Sequence, residues 1–214
     1  MDQITKDDLV GLIDHLAEKM IAAKDLLNTL DGAIGDGDLG ITMTLGFQAI
    51  KKQLLACQTE DMQAILTDCG MAFADNAAST FGALMATMFT RAGRVVKGKD
   101  AIGRSEEVAI LNAAAEGVQK RGGASLGDKT LLDALIPAAE AMEAACSSGQ
   151  SLLACTEAGL QAARLGAEKT IQMRSKAGRS GWLGDRTVGQ KDPGAAALVL
   201  MLEAVVDYLS LRCE

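Results

Sequence analysis

The chain has 214 residues, enough for one domain with a sizeable core, and its 28 acidic and 21 basic residues give a net charge of −7. With no basic block, that balance argues against nucleic acid or an anionic membrane surface as partner. No charged-then-apolar leader opens the sequence and no apolar run approaches the ~18–20 residues that span a bilayer, so the expectation is one cytoplasmic domain over residues 1–214.

Ala, Leu, Met, Glu, Lys and Gln dominate, and β-branched runs of period two are absent, so the pattern is helical almost throughout. Thr5-Lys6-Asp7-Asp8 reads as a capped helix start with an acidic first turn. Leu9, Leu12, Ile13, Leu16, Met20 and Ala23 then share one face of a helix predicted to reach about Leu30. The single histidine, His15, falls on this helix and reads as a surface or rim residue rather than a zinc ligand or base.

Residues 31–40, Asp31-Gly32-Ala33-Ile34-Gly35-Asp36-Gly37-Asp38-Leu39-Gly40, place three carboxylates and four glycines in what reads as a loop. Carboxylates this close repel unless a positive charge sits between them, and a hard cation with oxygen ligands, Mg²⁺ or Ca²⁺, suits them. A solvated acidic turn is the plain alternative. An EF-hand is excluded, because no Glu stands twelfth from any of these aspartates.

Helices follow at 41–56, 61–74 and 82–96, with the small-residue stretch Asn76-Ala77-Ala78-Ser79-Thr80 between the last two. Gly93-Arg94-Val95-Val96-Lys97-Gly98-Lys99-Asp100 resembles a P-loop but ends in Asp where Ser or Thr should meet Mg²⁺, and it follows a helix rather than a strand. Helices at 105–120, 128–146 and 151–173 come next, the first of them ended by Gly122-Gly123. A Gly-rich loop covers 177–190, and Asp192-Pro193 starts the last helix with Pro just inside it. Cys57, Cys69, Cys146, Cys155 and Cys213 are odd in number and lack C-x-x-C spacing, which fits reduced thiols.

About eight helices on short connections make an all-α fold, an antiparallel up-and-down bundle or closed α-barrel. In such a fold the aspartate loop, 76–80, 122–129 and 177–190 emerge at one end, and that rim is the expected ligand site. Its groups suit a nucleotide phosphate. Asp31, Asp36 and Asp38 offer hard oxygens, Arg179 sits among glycines whose amides can approach an anion, and the helix starts at Asp192-Pro193-Gly194 and Gly127-Asp128-Lys129-Thr130 offer free N–H groups. Taken singly, Arg179 could be a loop anchor bonded to carbonyls and Asp192 an ordinary N-cap.

D-G-x-x-G-D-G-D-x-G after a first helix, G-D-K-T in mid-chain and G-R-x-x-x-L-G-x-R-x-x-G-x-x-D-P-G-A at 178–195 resemble the nucleotide-binding L subunit of dihydroxyacetone kinases, in order and over essentially the whole chain. The resemblance implies an eight-helix barrel with ADP or ATP at one rim, and a phosphotransferase completed by a K-type subunit that holds the short ketose. It implies that Asp31, Asp36 and Asp38 hold two Mg²⁺ ions. It also implies nucleotide contacts from Leu39, Gly40, Ile41, Thr42, Ser79, Thr80, Phe81, Gly122, Leu131, Arg179, Asp192, Pro193 and Gly194. In some members a phosphotransferase-system M-type subunit rephosphorylates bound ADP, in others ATP exchanges freely, and a homodimer is a further possibility.

The chain departs from the family pattern in three places. Leu39 stands where the family keeps His, Thr42 where it keeps Asn, and Ala78-Ser79-Thr80-Phe81-Gly82 replaces Gly-Gly-x-Ser-Gly. The alternative expectation is therefore a nucleotide- or metal-sensing partner that no longer transfers phosphate.

Overall fold

The computed structural model describes residues 3–212 and contains nine α-helices among them. The first, α1 (Lys6–Ala22), starts from a capping box in which the Thr5 hydroxyl accepts the Asp8 N–H and the Asp8 carboxylate accepts the Thr5 N–H. The helix expected to run unbroken to Leu30 is interrupted at Ala23 and resumes as α2 (Lys24–Ile34). The break lays α2 against the start of α3 (Leu39–Ala56), where a Cβ on Gly40 would lie 2.0 Å from the Lys24 carbonyl oxygen.

The aspartate segment also differs from the expected loop, because residues 31–34 form the last turn of α2. Ile34 is 1% exposed, and its burial outweighs the poor helix propensity of Asp31 and Gly32. Only 35–38 are irregular, and α3 begins two residues earlier than the expected start at 41.

α4 (Met62–Asn76), α5 (Thr80–Val95) and α8 (Leu152–Lys169) are capped by the side chains of Asp61, Ser79 and Ser151, while α6 (Arg104–Gly122) ends on left-handed Gly123. α7 (Leu132–Ser147) starts four residues after the expected Asp128. Two carboxylates hold the residues before it as turns instead. Asp128 accepts the Ser125 N–H at 2.8 Å, and Asp133 accepts those of Gly127 at 2.6 Å and Thr130 at 2.7 Å. Pro137 donates nothing to the Asp133 carbonyl, and α8 closes on that point, where a Cβ on Gly166 would lie 2.0 Å from the oxygen. After α8 come a short 3₁₀ turn (Thr170–Gln172), a loop containing a second (Ser180–Thr187), and α9 (Pro193–Leu211).

The helices pack in a circuit. α1 meets α3, each helix from α3 to α8 meets the next, and α9 packs on α8 and back on α1. The described residues contain no strand, only an isolated bridge between Ile4 and Ile102. Inside lies an apolar core in which Phe47 meets Phe73 edge-on at 5.4 Å, and Gly46 leaves room for the Phe73 ring. An apolar, partly open cavity of about 180 Å³ lies among the core residues, and Glu107 also lines it. The Thr156 hydroxyl donates to one Glu107 oxygen at 2.8 Å and the other has no partner, so burial pushes this carboxyl up to about 7.

Contrary to the expectation from the sequence, one apolar helix is long enough to cross a membrane. It is α9, which serves here as a core helix packed on α1, α7 and α8. His15 is half-buried beside Tyr208, with ring centroids 6.0 Å apart, rather than free at a surface. Cys57, Cys69, Cys146 and Cys155 are free thiols, and burial pushes Cys69 up to about 12. Cys213 lies outside the described residues.

Candidate functional site

The four loops expected at one rim do meet, lining a cavity of about 240 Å³. Helices α3, α5 and α9 begin at its edge, so their positive dipole ends face it, while the N–H groups of Leu39, Ile41, Gly82 and Ala195 are already taken by side-chain acceptors. A cavity ringed by helix N-termini suits an anion, phosphate above all.

The three aspartates lie at its mouth. Each presents one carboxylate oxygen, and these lie within 4.8 Å of one another. Asp31 projects from the last turn of α2, and its Oδ2 accepts the N–H groups of Asp38 at 2.9 Å and Leu39 at 3.3 Å. Those bonds fold 35–38 back over α2 and leave Oδ1 beside Gly35, where a Cβ would lie 2.4 Å from it. Three convergent carboxylate oxygens, two of them on exposed residues, fit a hard divalent cation that keeps some of its water. Arg179 reaches across from the Gly-rich loop and pairs with Asp36, so it is not the carbonyl-bonded anchor that was the plain alternative.

Lys129 anchors that loop. It has φ +61°, the only positive φ outside glycine among the described residues, and its side chain is buried. Its ammonium donates to the carbonyls of Met173 at 3.1 Å, Thr187 at 2.5 Å and Gln190 at 2.6 Å, and burial lowers its pKa. All three donors are thus used, and they tie both ends of the Arg179 loop to the turn before α7. Lys176 adds a second tie, from its N–H to the Asp128 carbonyl and from its ammonium to the Gly127 carbonyl. The G-D-K-T motif is therefore a brace for the loop rather than a helix start with a free lysine.

Asp192 caps α9 by accepting the Ala195 N–H at 2.7 Å. It is buried, and burial with the nearby Asp133 charge pushes its carboxyl up to about 7, against the pull of that N–H and of Lys129. Ser79 is likewise occupied as a cap, accepting the Gly82 N–H at 2.9 Å. The Thr42 hydroxyl donates to Ser79 Oγ at 3.4 Å, bridging α3 and the start of α5.

Of the residues the resemblance points to, Asp31, Asp36, Asp38, Leu39, Thr42, Ser79, Thr80, Phe81, Gly122, Leu131, Arg179, Asp192, Pro193 and Gly194 line this cavity. Gly40 and Ile41 do not. Gly40 is packed on α2, and Ile41 is 45% exposed, with its N–H donated to Asn28 Oδ1. Sequence reasoning missed the apolar wall of Ile34, Leu84, Val118 and Leu132 and the brace role of Lys129. The wall residues look like any other core positions in their helices, and the brace joins residues 44 to 61 positions apart.

The fold is an all-helical domain with a cavity at one rim, edged by helix starts and three carboxylates, and the sequence places it in a family. Residues 33–207 match the DAK2 domain, so the chain belongs to the DAK2-domain family. It is similar to the ADP-binding subunit DhaL of the PEP-dependent dihydroxyacetone kinase of Escherichia coli, at 29% identity over 94% of this chain and 95% of that one. It is 32% identical to the corresponding subunit of kinase 2 of Listeria innocua, over 87% of each chain. It also resembles the triokinase/FMN cyclase of Mus musculus at 30% identity, spanning 36% of that longer protein.

Among solved structures, the dihydroxyacetone kinase of C. freundii in complex with AMP-PNP and Mg²⁺ matches with a TM-score of 0.70 at 25% identity, over 92% of this chain and 33% of that one. Its native form matches with a TM-score of 0.72 at 27% identity. The all-helical fold is thus shared with a kinase whose chain is about three times as long.

Proposed function

We propose that this chain carries an adenine nucleotide, ADP or ATP, with Mg²⁺, as the nucleotide-binding subunit of a dihydroxyacetone-type kinase. In the ATP form its terminal phosphoryl group passes to dihydroxyacetone or a related three- or four-carbon ketose held on a separate K-type subunit, and ADP is left behind. The observation that carries this reading is the convergence on one cavity of Asp31, Asp36 and Asp38, Arg179 and the N-termini of α3, α5 and α9. The ADP-binding subunits among the relatives and the AMP-PNP and Mg²⁺ complex of the structural neighbour support it.

Asp31, Asp36 and Asp38 would hold the metal, in this reading two Mg²⁺ ions. When bound, Mg²⁺ neutralises the charge of the phosphates. The chain's own residues supply the remaining electrostatics and positioning. The positive dipole ends of α3, α5 and α9 would face the phosphate oxygens, and Arg179 brings a forked cation from a loop held by Lys129. Ile34, Leu84, Val118 and Leu131 form a water-excluding wall that suits the flat apolar face of a base. No nucleophile is needed from this chain, because phosphoryl transfer is mostly positioning and charge stabilisation. A cytoplasmic location fits, and the PEP-dependent relatives favour rephosphorylation by an M-type subunit over free exchange of ATP.

A second reading has its own observation. Leu39 and Phe81 turn carbon toward the cavity where the family keeps polar groups, which suits a sensor that binds nucleotide without transferring phosphate. One experiment separates the two. The purified chain is denatured and released adenine nucleotide measured, then native protein is mixed with a dihydroxyacetone kinase K-type subunit and three- and four-carbon ketoses are assayed. Bound nucleotide with ketose phosphate formed supports the kinase, bound nucleotide without transfer supports the sensor, and no nucleotide in Mg²⁺ rules out both.

A further inference from the structure

A second concave surface adjoins the nucleotide cavity. It is a depression of about 1020 Å³ over the outer face of α5, walled by α4 and α6. Its floor is small: Gly70, Ala74, Ala83, Ala86 and Gly117 bring no side chain longer than a methyl group. Thr87 and Thr90 also lie there, but their hydroxyls are bonded back to the Ala83 and Ala86 carbonyls of their own helix. Outer helix faces in an acidic protein ordinarily carry charged residues, so a face this bare admits another backbone closely.

The charge is one-sided. Arg91, Arg94, Lys120 and Arg121 line the depression with the paired Arg179, no acidic side chain among the described residues does, and none of the first four makes an ion pair with a described residue. Four unpaired cations in one depression stand out in a chain of net charge −7. Arg91 is held in place: a Cβ on Gly117 would lie 3.0 Å from its Cγ, so its stem lies across α6 where that helix has no side chain. Met71, 53% exposed, adds an adaptable apolar contact at the edge.

Length and direction narrow the occupant. From Thr80 to Arg94 the depression runs about 20 Å at about 1.5 Å per residue, the length of a helix of about four turns. Ser79, Thr80 and Arg179 line both this depression and the nucleotide cavity, so the two are continuous. An occupant therefore has one end at the mouth where the phosphates would lie. A nucleic-acid strand fits poorly, since the groove has no aromatic side chain for stacking and the protein as a whole repels polyanions.

We infer that this depression is the docking surface for an acidic helical segment of the K-type subunit that brings the phosphoryl acceptor. The inference rests on the kinase reading for the identity of the partner and on the groove for where it sits. Carboxylates on one helix face would meet Arg91 and Arg94 at one end and Lys120 and Arg121 at the other.

The test uses the full chain with Mg²⁺ and ADP and a dihydroxyacetone kinase K-type subunit. Arg94→Glu combined with Arg121→Glu is expected to weaken association at least about tenfold, while affinity for Mg-ADP stays within about twofold. Lys52→Glu, a reversal outside the groove, is expected to leave association unchanged. Raising salt from about 50 to about 300 mM should weaken the unaltered pair more than the pair containing the double variant. Equal association by the double variant would overturn the proposal, as would an unaltered chain that binds Mg-ADP but not the K-type subunit. Groove-dependent binding of a short single-stranded DNA in place of that subunit would overturn it too. Loss of Mg-ADP binding by the unaltered chain would instead count against the kinase reading.

Discussion

Arg179 pairs with Asp36 across the mouth of the cavity, joining the Gly-rich loop before α9 to the irregular segment after α2. Arg179 is 71% and Asp36 41% exposed, so solvent screens the pair and it adds little to stability. Its value lies in holding a guanidinium where phosphate oxygens would arrive. Arg179→Met is expected to lower affinity for Mg-ADP by about 10- to 100-fold, corresponding to about 1.5–3 kcal/mol for charge-assisted hydrogen bonds, with little change in Tm. Arg179→Lys should recover only part of the loss, because an ammonium lacks the fork. Calorimetric titration of the three proteins checks this, and unchanged affinity in Arg179→Met would contradict it.

Lys129 should matter through the loop it braces. Lys129→Met strands the carbonyls of Met173, Thr187 and Gln190, at an expected cost of about 2–4 kcal/mol in urea unfolding. Hydrogen exchange should quicken selectively over 173–190. Uniform loss of protection across all helices would mean that the lysine supports the core rather than the loop.

Gly40 separates packing from ligand contact. Its Cβ position meets the Lys24 carbonyl at 2.0 Å, so Gly40→Ala should force α2 and α3 apart and cost about 1–3 kcal/mol, lowering Tm by several degrees at about 2–4 °C per kcal/mol. A variant of unchanged Tm but weakened nucleotide binding would instead make Gly40 a ligand contact.

Glu107 predicts a pH dependence. Its carboxyl rises from the ordinary 4.5 to about 7 on burial, so between those values the folded state binds more protons than the unfolded one. Stability therefore falls as pH rises through this window, by about 3 kcal/mol from this group, and the loss is complete above about pH 7. Glu107→Gln keeps an acceptor for Thr156 and removes the titration. The variant should gain on the unaltered chain between pH 4.5 and pH 8 in urea unfolding. A constant difference across that range would show that Glu107 does not titrate there.

Much of this was legible in the sequence because it is local. Helix starts at Thr5, Asp61, Ser151 and Asp192 carry their own capping side chains and the structure uses all four, while α5 starts two residues before the expected 82 because Ser79 caps it. The common rim follows from alternating directions on short connections, and it survives the break at Ala23 because the aspartate segment still follows α2 at that end. What stayed hidden depends on distant partners. Ile34 is drawn into helix by burial, the start of α7 is delayed by the carboxylates of Asp128 and Asp133, and Lys129 finds its carbonyls far along the chain. The bare face of α5 was equally silent, since alanines and threonines in a helix say nothing of a groove until α4 and α6 stand beside them.

In the proposed function Asp31, Asp36 and Asp38 form a metal cage that couples a divalent cation to a nucleotide. Its most direct test is titration of the purified chain with ADP in Mg²⁺ and in EDTA, repeated for Asp36→Asn and Asp38→Asn. The expected result is binding in Mg²⁺ that is lost in EDTA and weakened at least about tenfold in each variant at unchanged Tm. Equal ADP affinity with and without Mg²⁺, or in both variants, would contradict it.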